Sequence, residues 1–170
     1  MKIAIVSDSH DNQKNIEKFV AYIKKNPVDA IIHCGDMCRS DSLDIFLANF
    51  SGKFYLSLGN GDMPHDFDEY KTNPNIEIFP RIGILDLPEL NIAFAHYKDM
   101  VKSFSKKCKF IFYGHSHKPW LEMIGEPNLP VSQQSFIACP GNLAGIYYAP
   151  TFAIFDTITQ KLELKILDKI

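Results

Sequence analysis

The chain carries 170 residues, 46% hydrophobic and 22% charged, with a formal net charge of -2. This is the balance of a soluble globular protein, and the length predicts a single domain over residues 1–170 with a core large enough to be stable without staples. The near-neutral charge excludes a global basic field that would recruit nucleic acid or anionic lipid.

The opening MKIAIVSDSH places charge directly after a very short apolar run, which predicts neither a signal peptide nor an anchor. No later stretch has the length needed to span a bilayer. The apolar, β-branched run at 2–7 predicts a buried strand. Ile16, Phe19, Val20 and Ile23 then fall at i, i+3, i+4 and i+7, the spacing of an amphipathic helix that ends near the Asn-Pro at 26–27. A second strand follows at 29–34. Leu43, Phe46, Leu47 and Phe50 repeat the helical spacing, with Ser40 as the expected N-cap, and 53–58 predicts a third strand. This β-α-β-α-β order predicts parallel strands with right-handed crossovers. Residues 59–75 are polar and contain Gly and Pro, as a functional loop or short irregular lid does. Further strands are predicted at about 76–79, 82–87 and 90–95, then a helix around 98–106 and a strand at 109–114. Strands near 118–124, 134–139, 151–156 and 161–167 complete the chain. The expected fold is a two-sheet α/β sandwich with flanking helices, its second half more antiparallel than its first. Cys34, Cys38, Cys108 and Cys139 lie on different segments without a CxxC pair, which fits reduced thiols in a cytoplasmic protein.

Metal-capable side chains gather where predicted strands give way to loops. Asp8 and His10 follow the first strand, Asp36 the second and Asn60 the third. His96 follows the strand at 90–95, and His115 and His117 follow the one at 109–114. In open α/β sheets ligands bind beyond the carboxyl ends of the strands, so these groups are expected to converge on one crevice. Oxygen and imidazole donors without thiolate suit Mn, Fe, Zn or Ni rather than a structural zinc cluster. Seven donors exceed what one transition ion needs, so two ions sharing a carboxylate are indicated. Paired ions roughly 3.5–4 Å apart are the recurring device for in-line displacement at phosphorus. Gly35, Gly59 and Gly114 each precede a proposed ligand, where the backbone must turn sharply and approach the ions. In extended geometry His115 and His117 would point to the same side.

Taken together, DSHDN, HCGDM, GNGD, AH and GHSH resemble the five blocks of the calcineurin-like metallophosphoesterases, and the length and spacing are similar to the small prokaryotic phosphodiesterases of the YfcE type. The match runs from Asp8 to His117. The resemblance implies the metallophosphoesterase form of the two-sheet sandwich. It also implies one divalent ion held by Asp8, His10 and His117 and a second by Asn60, His96 and His115, with Asp36 bridging them. Manganese leads the implied metals, with nickel, zinc, iron or magnesium as alternatives. A hydroxide between the ions would attack a small phosphodiester, with Asp36, Asn60 and His96 as the implied catalytic residues. The resemblance also permits a homodimer.

This sequence departs from the family at three places. Larger members carry a histidine directly after the Gly-Asn pair, poised to protonate the leaving group; here that residue is Gly61, as in the small phosphodiesterases. The general acid is then unassigned, with His65 or water as candidates and an exposed loop histidine as the plainer reading of His65. The usual His-Gly of the fourth block is His96-Tyr97, where the tyrosine could narrow the site, stack on a substrate base or simply pack. Asn142 stands where relatives have a small-residue turn, and could approach substrate or form the turn itself.

Asp62 could orient Asn60 or His96, or cap a turn. His33 is expected to be a buried, hydrogen-bonded residue behind the ligands. Asn12 could brace its loop or cap the following helix. Arg39 is a candidate phosphate contact or a surface charge, and Trp120 is expected in the core. Three functions compete: a phosphodiesterase, a phosphomonoesterase or nucleotidase, and a non-catalytic scaffold like the retromer subunit that resembles this family. Donors at all seven positions weigh against the scaffold, and the absence of histidine at 61 favours a diester with a good leaving group.

Overall fold

The computed structural model of the protein describes residues 1–88, 90–125, 128, 130 and 134–170. Among them are eleven strands: β1 (Lys2–Val6), β2 (Ala30–His33), β3 (Lys53–Ser57), β4 (Ile76–Phe79), β5 (Ile82–Asp86), β6 (Asn91–Ala95), β7 (Phe110–Tyr113), β8 (Trp120–Ile124), β9 (Ser135–Cys139), β10 (Thr151–Asp156) and β11 (Lys161–Ile166). Six form one sheet in the order β11-β10-β1-β2-β3-β4, and five form a second in the order β5-β6-β7-β9-β8. The pairs β1–β2, β2–β3 and β3–β4 are parallel, as the alternating strands and helices predict. Every antiparallel pair involves at least one strand from the second half of the chain.

Alternation along β1 explains the layering. Ile3 and Ile5 face the second sheet and pack with Ile92, Phe94, Phe110, Phe112 and Phe155. Ala4 and Val6 face the other way, into a cluster with Ile16, Phe19, Val20 and Ile23 of helix α1 (Gln13–Lys25) and Leu43 and Phe46 of helix α2 (Ser40–Leu47). The outer face of the second sheet is covered by helix α3 (Lys98–Lys102), with Val101 packed on Ala93 and Ile111, and by the 3-10 turn Ser103–Lys106 that completes the predicted helical segment. The result is a helix–sheet–sheet–helix sandwich.

Three local expectations change. Ser40 is the first helical residue of α2 rather than its cap; Arg39 holds the cap position in extended backbone without a side-chain capping bond, its guanidinium having no acceptor to offer, and Asp11 accepts from the Arg39 amide and from Ser42 Oγ instead. The polar segment after β3 coils into a 3-10 helix, Pro64–Thr72, pinned by buried Phe67 and Tyr70. Trp120 is half exposed rather than core, because β8 is the edge of its sheet and Trp120 stands at its start, its indole N–H donating to Glu122. The four cysteines are free thiols.

Candidate metal centre

β1, β2 and β3 run parallel in one sheet, and β6 and β7 run parallel in the other. The carboxyl ends of these five strands open on one crevice and bring together donors more than a hundred residues apart in sequence. His10 Nε2 lies 3.2 Å from His117 Nε2. Asp8 Oδ1 lies 3.2 Å from His117 Nε2 and 3.9 Å from His10 Nε2. These three residues form one group of converging donor atoms, and Asp36, His96 and His115 form another. Asp36 Oδ2 is 3.3 Å from His96 Nε2 and 3.8 Å from His10 Nε2, so one oxygen faces both groups. Asn60 Oδ1 joins the second group, 3.1 Å from His96 Nε2.

The backbone that delivers these atoms is unusual. Asp8, His10, Asp36, His115 and His117 all have φ between 40° and 66°, the left-handed region. Each such residue costs roughly 1–2 kcal/mol relative to ordinary conformations, and such strain clusters at active sites and ligand clamps. The geometry also replaces the extended arrangement expected for His115 and His117: both are left-handed, and their rings separate into the two groups. Gly114 makes this possible, since a Cβ there would collide with Ser7 Oγ and sit 2.7 Å from the Cys34 carbonyl. Gly35 is itself left-handed at φ +91° and lies against the His96 ring.

The charges are buried and mutually adjusted. Burial pushes the Asp8 carboxyl up to about 6, opposed by the Ser7 hydroxyl that donates to its Oδ2. Burial also works against ionisation of Asp36, but the His96 ring and the Gly61 N–H, 2.6 Å from Oδ1, outweigh it and bring the carboxyl down to about 2. For His96, burial opposes the charged ring, yet Asp36 raises its pKa overall. The tautomer of neutral His96 follows from its neighbours. Nδ1 lies 2.9 Å from the Cys34 carbonyl, which can only accept, so the proton sits there and Nε2 carries a lone pair. That lone pair meets Asp36 Oδ2, Asn60 Oδ1 and, at 3.2 Å, His115 Nδ1. Such a convergence of electron-pair donors fits a cation, and hard oxygen with imidazole fits a divalent transition ion.

The supporting residues resolve the alternatives that the sequence leaves open. Asp62 is buried and its carboxylate bonds backbone rather than Asn60 or His96. Its carboxylate accepts from the N–H groups of Asp36 (2.9 Å), Cys38 (2.7 Å) and Gly59 (2.7 Å), tying the β2 and β3 loops together. Asn142 is fully buried and does not face substrate. It donates to the His117 carbonyl at 3.0 Å and accepts from the Ile146 N–H at 2.7 Å. Asn12 both caps α1, accepting from Asn15 N–H, and braces the loop at Ala144. His33 is fully buried; the Gly35 N–H donates to its Nδ1, so Nε2 donates to Ser9 Oγ at 3.0 Å. Arg39 pairs with Asp41 on the surface. His65 is exposed and pairs with Asp66, and Gly61 leaves open the position after Asn60.

Two contacts had no clear sequence signal. The Tyr97 hydroxyl donates to Asn60 Oδ1 at 2.9 Å while its ring packs on His115 and His96, and Cys38 Sγ lies 3.4 Å from His10 Nδ1. Only the position of Tyr97 directly after a proposed ligand pointed toward the first.

A sandwich with oxygen and imidazole donors at the strand ends of both sheets defines a protein with a site fit for divalent metal ions. Residues 1–160 match the family model of the calcineurin-like phosphoesterase superfamily domain, and the chain belongs to that family. It is 29% identical over 175 residues to phosphodiesterase MJ0936 of Methanocaldococcus jannaschii, covering 99% of this chain and 100% of that one. Among solved structures, a novel archaeal phosphodiesterase has 24% identity and a TM-score of 0.84, covering 98% of this chain and 99% of that chain. YfcE, a phosphoesterase from E. coli, has 15% identity and a TM-score of 0.69, with 98% and 100% covered. Vps29 of Chaetomium thermophilum has 14% identity and a TM-score of 0.67, with 97% and 95% covered. The structural likenesses establish the fold. Among the described residues no helix is long and apolar enough to cross a membrane.

Proposed function

We propose that the chain hydrolyses a small phosphodiester using two divalent ions. Asp8, His10 and His117 hold the first, and Asn60, His96 and His115 hold the second. The observation that carries this reading is Asp36 Oδ2, which faces His10 of one group and His96 of the other from a buried, ionised carboxylate. A bound pair of divalent ions, manganese first among the candidates, supplies Lewis acidity and a hydroxide nucleophile near neutral pH. Asn60 and His96 would act on the negative charge developing on the phosphate oxygens by holding the second ion in place, since His96 keeps its only proton on the Cys34 carbonyl. The Cys34 carbonyl keeps His96 in the tautomer that presents Nε2, and the Tyr97 hydroxyl holds the Asn60 amide in register. Gly61 offers no proton donor to a leaving group, which favours a diester that departs without strong acid assistance, and the relative named a phosphodiesterase supports the same choice.

A metal-free scaffold would have no use for five left-handed donor residues, each of which lowers stability. The test is hydrolysis of bis-p-nitrophenyl phosphate beside p-nitrophenyl phosphate, after metal stripping and separate addition of Mn²⁺, Ni²⁺, Zn²⁺ and Mg²⁺. Metal-restored activity that favours the diester is expected. Preference for the monoester, or no activity with any ion although two are bound, would contradict the proposal.

A further inference from the structure

Tyr147 is exposed to 90% of its surface, yet its backbone is far from free. Its φ is +63°, an outlier conformation for a bulky aromatic residue. The turn that carries it is bonded on both sides. Leu143 N–H donates to the Ser7 carbonyl at 2.9 Å and Ala144 N–H to the Asp8 carbonyl at 3.0 Å. Buried Asn142 holds the Ile146 N–H and the His117 carbonyl at once, so the residue before Tyr147 and a proposed ligand share one side chain. The Tyr147 ring consequently stands beside the His117 ring, with centroids 6.1 Å apart and planes tilted by 38°. Tyr97 flanks the other donor group, but its hydroxyl is committed to Asn60 and its ring to His115 and His96.

An exposed aromatic ring held in a strained backbone at the rim of a phosphate site has no role in the core. We infer that Tyr147 is a stacking platform for one arm of the substrate, which makes the substrate a nucleoside phosphodiester with its base over Tyr147 and its phosphorus at the Asp36 crevice. The inference rests on the diesterase reading above. Stacking of a base on an aromatic side chain is tolerant of which base is present, because every base has a π-face. The formal net charge of -2 provides no global basic field for a polymer, and the proposed ligand is a small diester.

The experiment compares two non-aromatic leaving-group esters, the 2,2,2-trifluoroethyl diester of thymidine 5′-monophosphate and the same diester lacking the base. Release of trifluoroethanol is followed by fluorine NMR with metal-loaded enzyme, and bis-p-nitrophenyl phosphate is run in parallel. The wild type should prefer the base-bearing diester by about tenfold in kcat/KM, chiefly through KM. In Tyr147→Ala that ratio should collapse toward one, and in Tyr147→Phe, which keeps the ring, it should persist. Equal rates in the wild type, or a ratio that survives Tyr147→Ala, overturn the platform. Where the enzyme cleaves bis-p-nitrophenyl phosphate but neither trifluoroethyl ester, the two esters are compared as competitive inhibitors of that reaction, and equal inhibition overturns the platform. Failure on all three diesters with metal present instead overturns the diesterase reading beneath it.

Discussion

The two donor groups are built to different standards of rigidity. In the Asp36 group, His96 is almost wholly buried and its ring is fixed by a backbone carbonyl, while Asn60 is held by a tyrosine hydroxyl and Asp36 by the Gly61 N–H. In the Asp8 group the carboxylate is equally buried and accepts from Ser7 and from the His115 N–H. Its imidazoles are less well braced than His96, the buried imidazole of the Asp36 group. His10 leans on the thiol of Cys38, a weak hydrogen-bonding partner, and His117 Nδ1 is buried with no protein partner among the described residues. Partners behind a ligating histidine fix its orientation and raise its affinity, so the Asp36 group is expected to hold its ion more tightly and the Asp8 group to exchange its ion more readily.

Removing the shared residue should have the largest effect. Asp36→Asn keeps the size of the side chain but loses the charge that faces both groups. Its kcat/KM on bis-p-nitrophenyl phosphate should fall at least about a hundredfold at saturating Mn²⁺. Circular dichroism should confirm that the fold persists, and near wild-type turnover would show that the two groups work independently. Next come His96→Ala and His117→Ala, compared by calorimetric titration of stripped protein. Each should lose one of two ions, and the step that disappears should be the tighter one in His96→Ala and the weaker one in His117→Ala. Identical titrations of the two variants would erase the proposed difference between the groups. Cys38→Ala should have a smaller effect, lowering affinity at the weaker step by up to about tenfold and leaving the tighter step in place. If the tighter step moves instead, Cys38 braces the wrong group in this account.

The smallest effect concerns His33, behind both groups. Complete burial pushes its imidazole down to about 3, so the folded protein keeps it neutral while the unfolded chain takes up a proton below its ordinary value near 6.5. Its contribution is therefore intact above about pH 6.5 and is lost as pH falls toward 3. Thermal melts of stripped protein at pH 7 and pH 5 should show a smaller acid loss in His33→Gln than in the wild type, although the variant starts from a lower Tm. Parallel acid losses would count against a neutral buried His33.

Much of this architecture can be read before the coordinates. The strands stand out because Ile, Val, Phe and Ala concentrate in short runs, and α1 stands out because Ile16, Phe19, Val20 and Ile23 all enter the core. The gathering of donors at strand ends was readable for a related reason: each predicted strand broke off into a turn that carried an Asp, Asn or His. What could not be read depended on neighbours distant in sequence. Asp62 bonds the loop after β2 as well as the turn after β3, and nothing local distinguishes that from capping. The sequence leaves Asn142 two roles because its partners, the His117 carbonyl and the Ile146 amide, come together only once the turn between β9 and β10 packs against the end of β7. Trp120 reads as core because no basic interleaving marks it as a stacking platform. Its exposure follows from β8 being a sheet edge, which sequence order does not reveal.

The hydrogen bond from His115 N–H to Asp8, at 3.1 Å, joins the end of β1 in one sheet to the end of β7 in the other, across 107 residues of chain. A contact of that span is expected to form late, since the loop must close before the bond is gained. Neither sheet alone carries a complete set of donors for either group. A half-folded chain thus has little to offer a divalent ion, and chelation becomes a property of the finished molecule. Release of bound metal during denaturation should coincide with loss of the last tertiary structure, so that the ion acts as a reporter of whether the two sheets are docked.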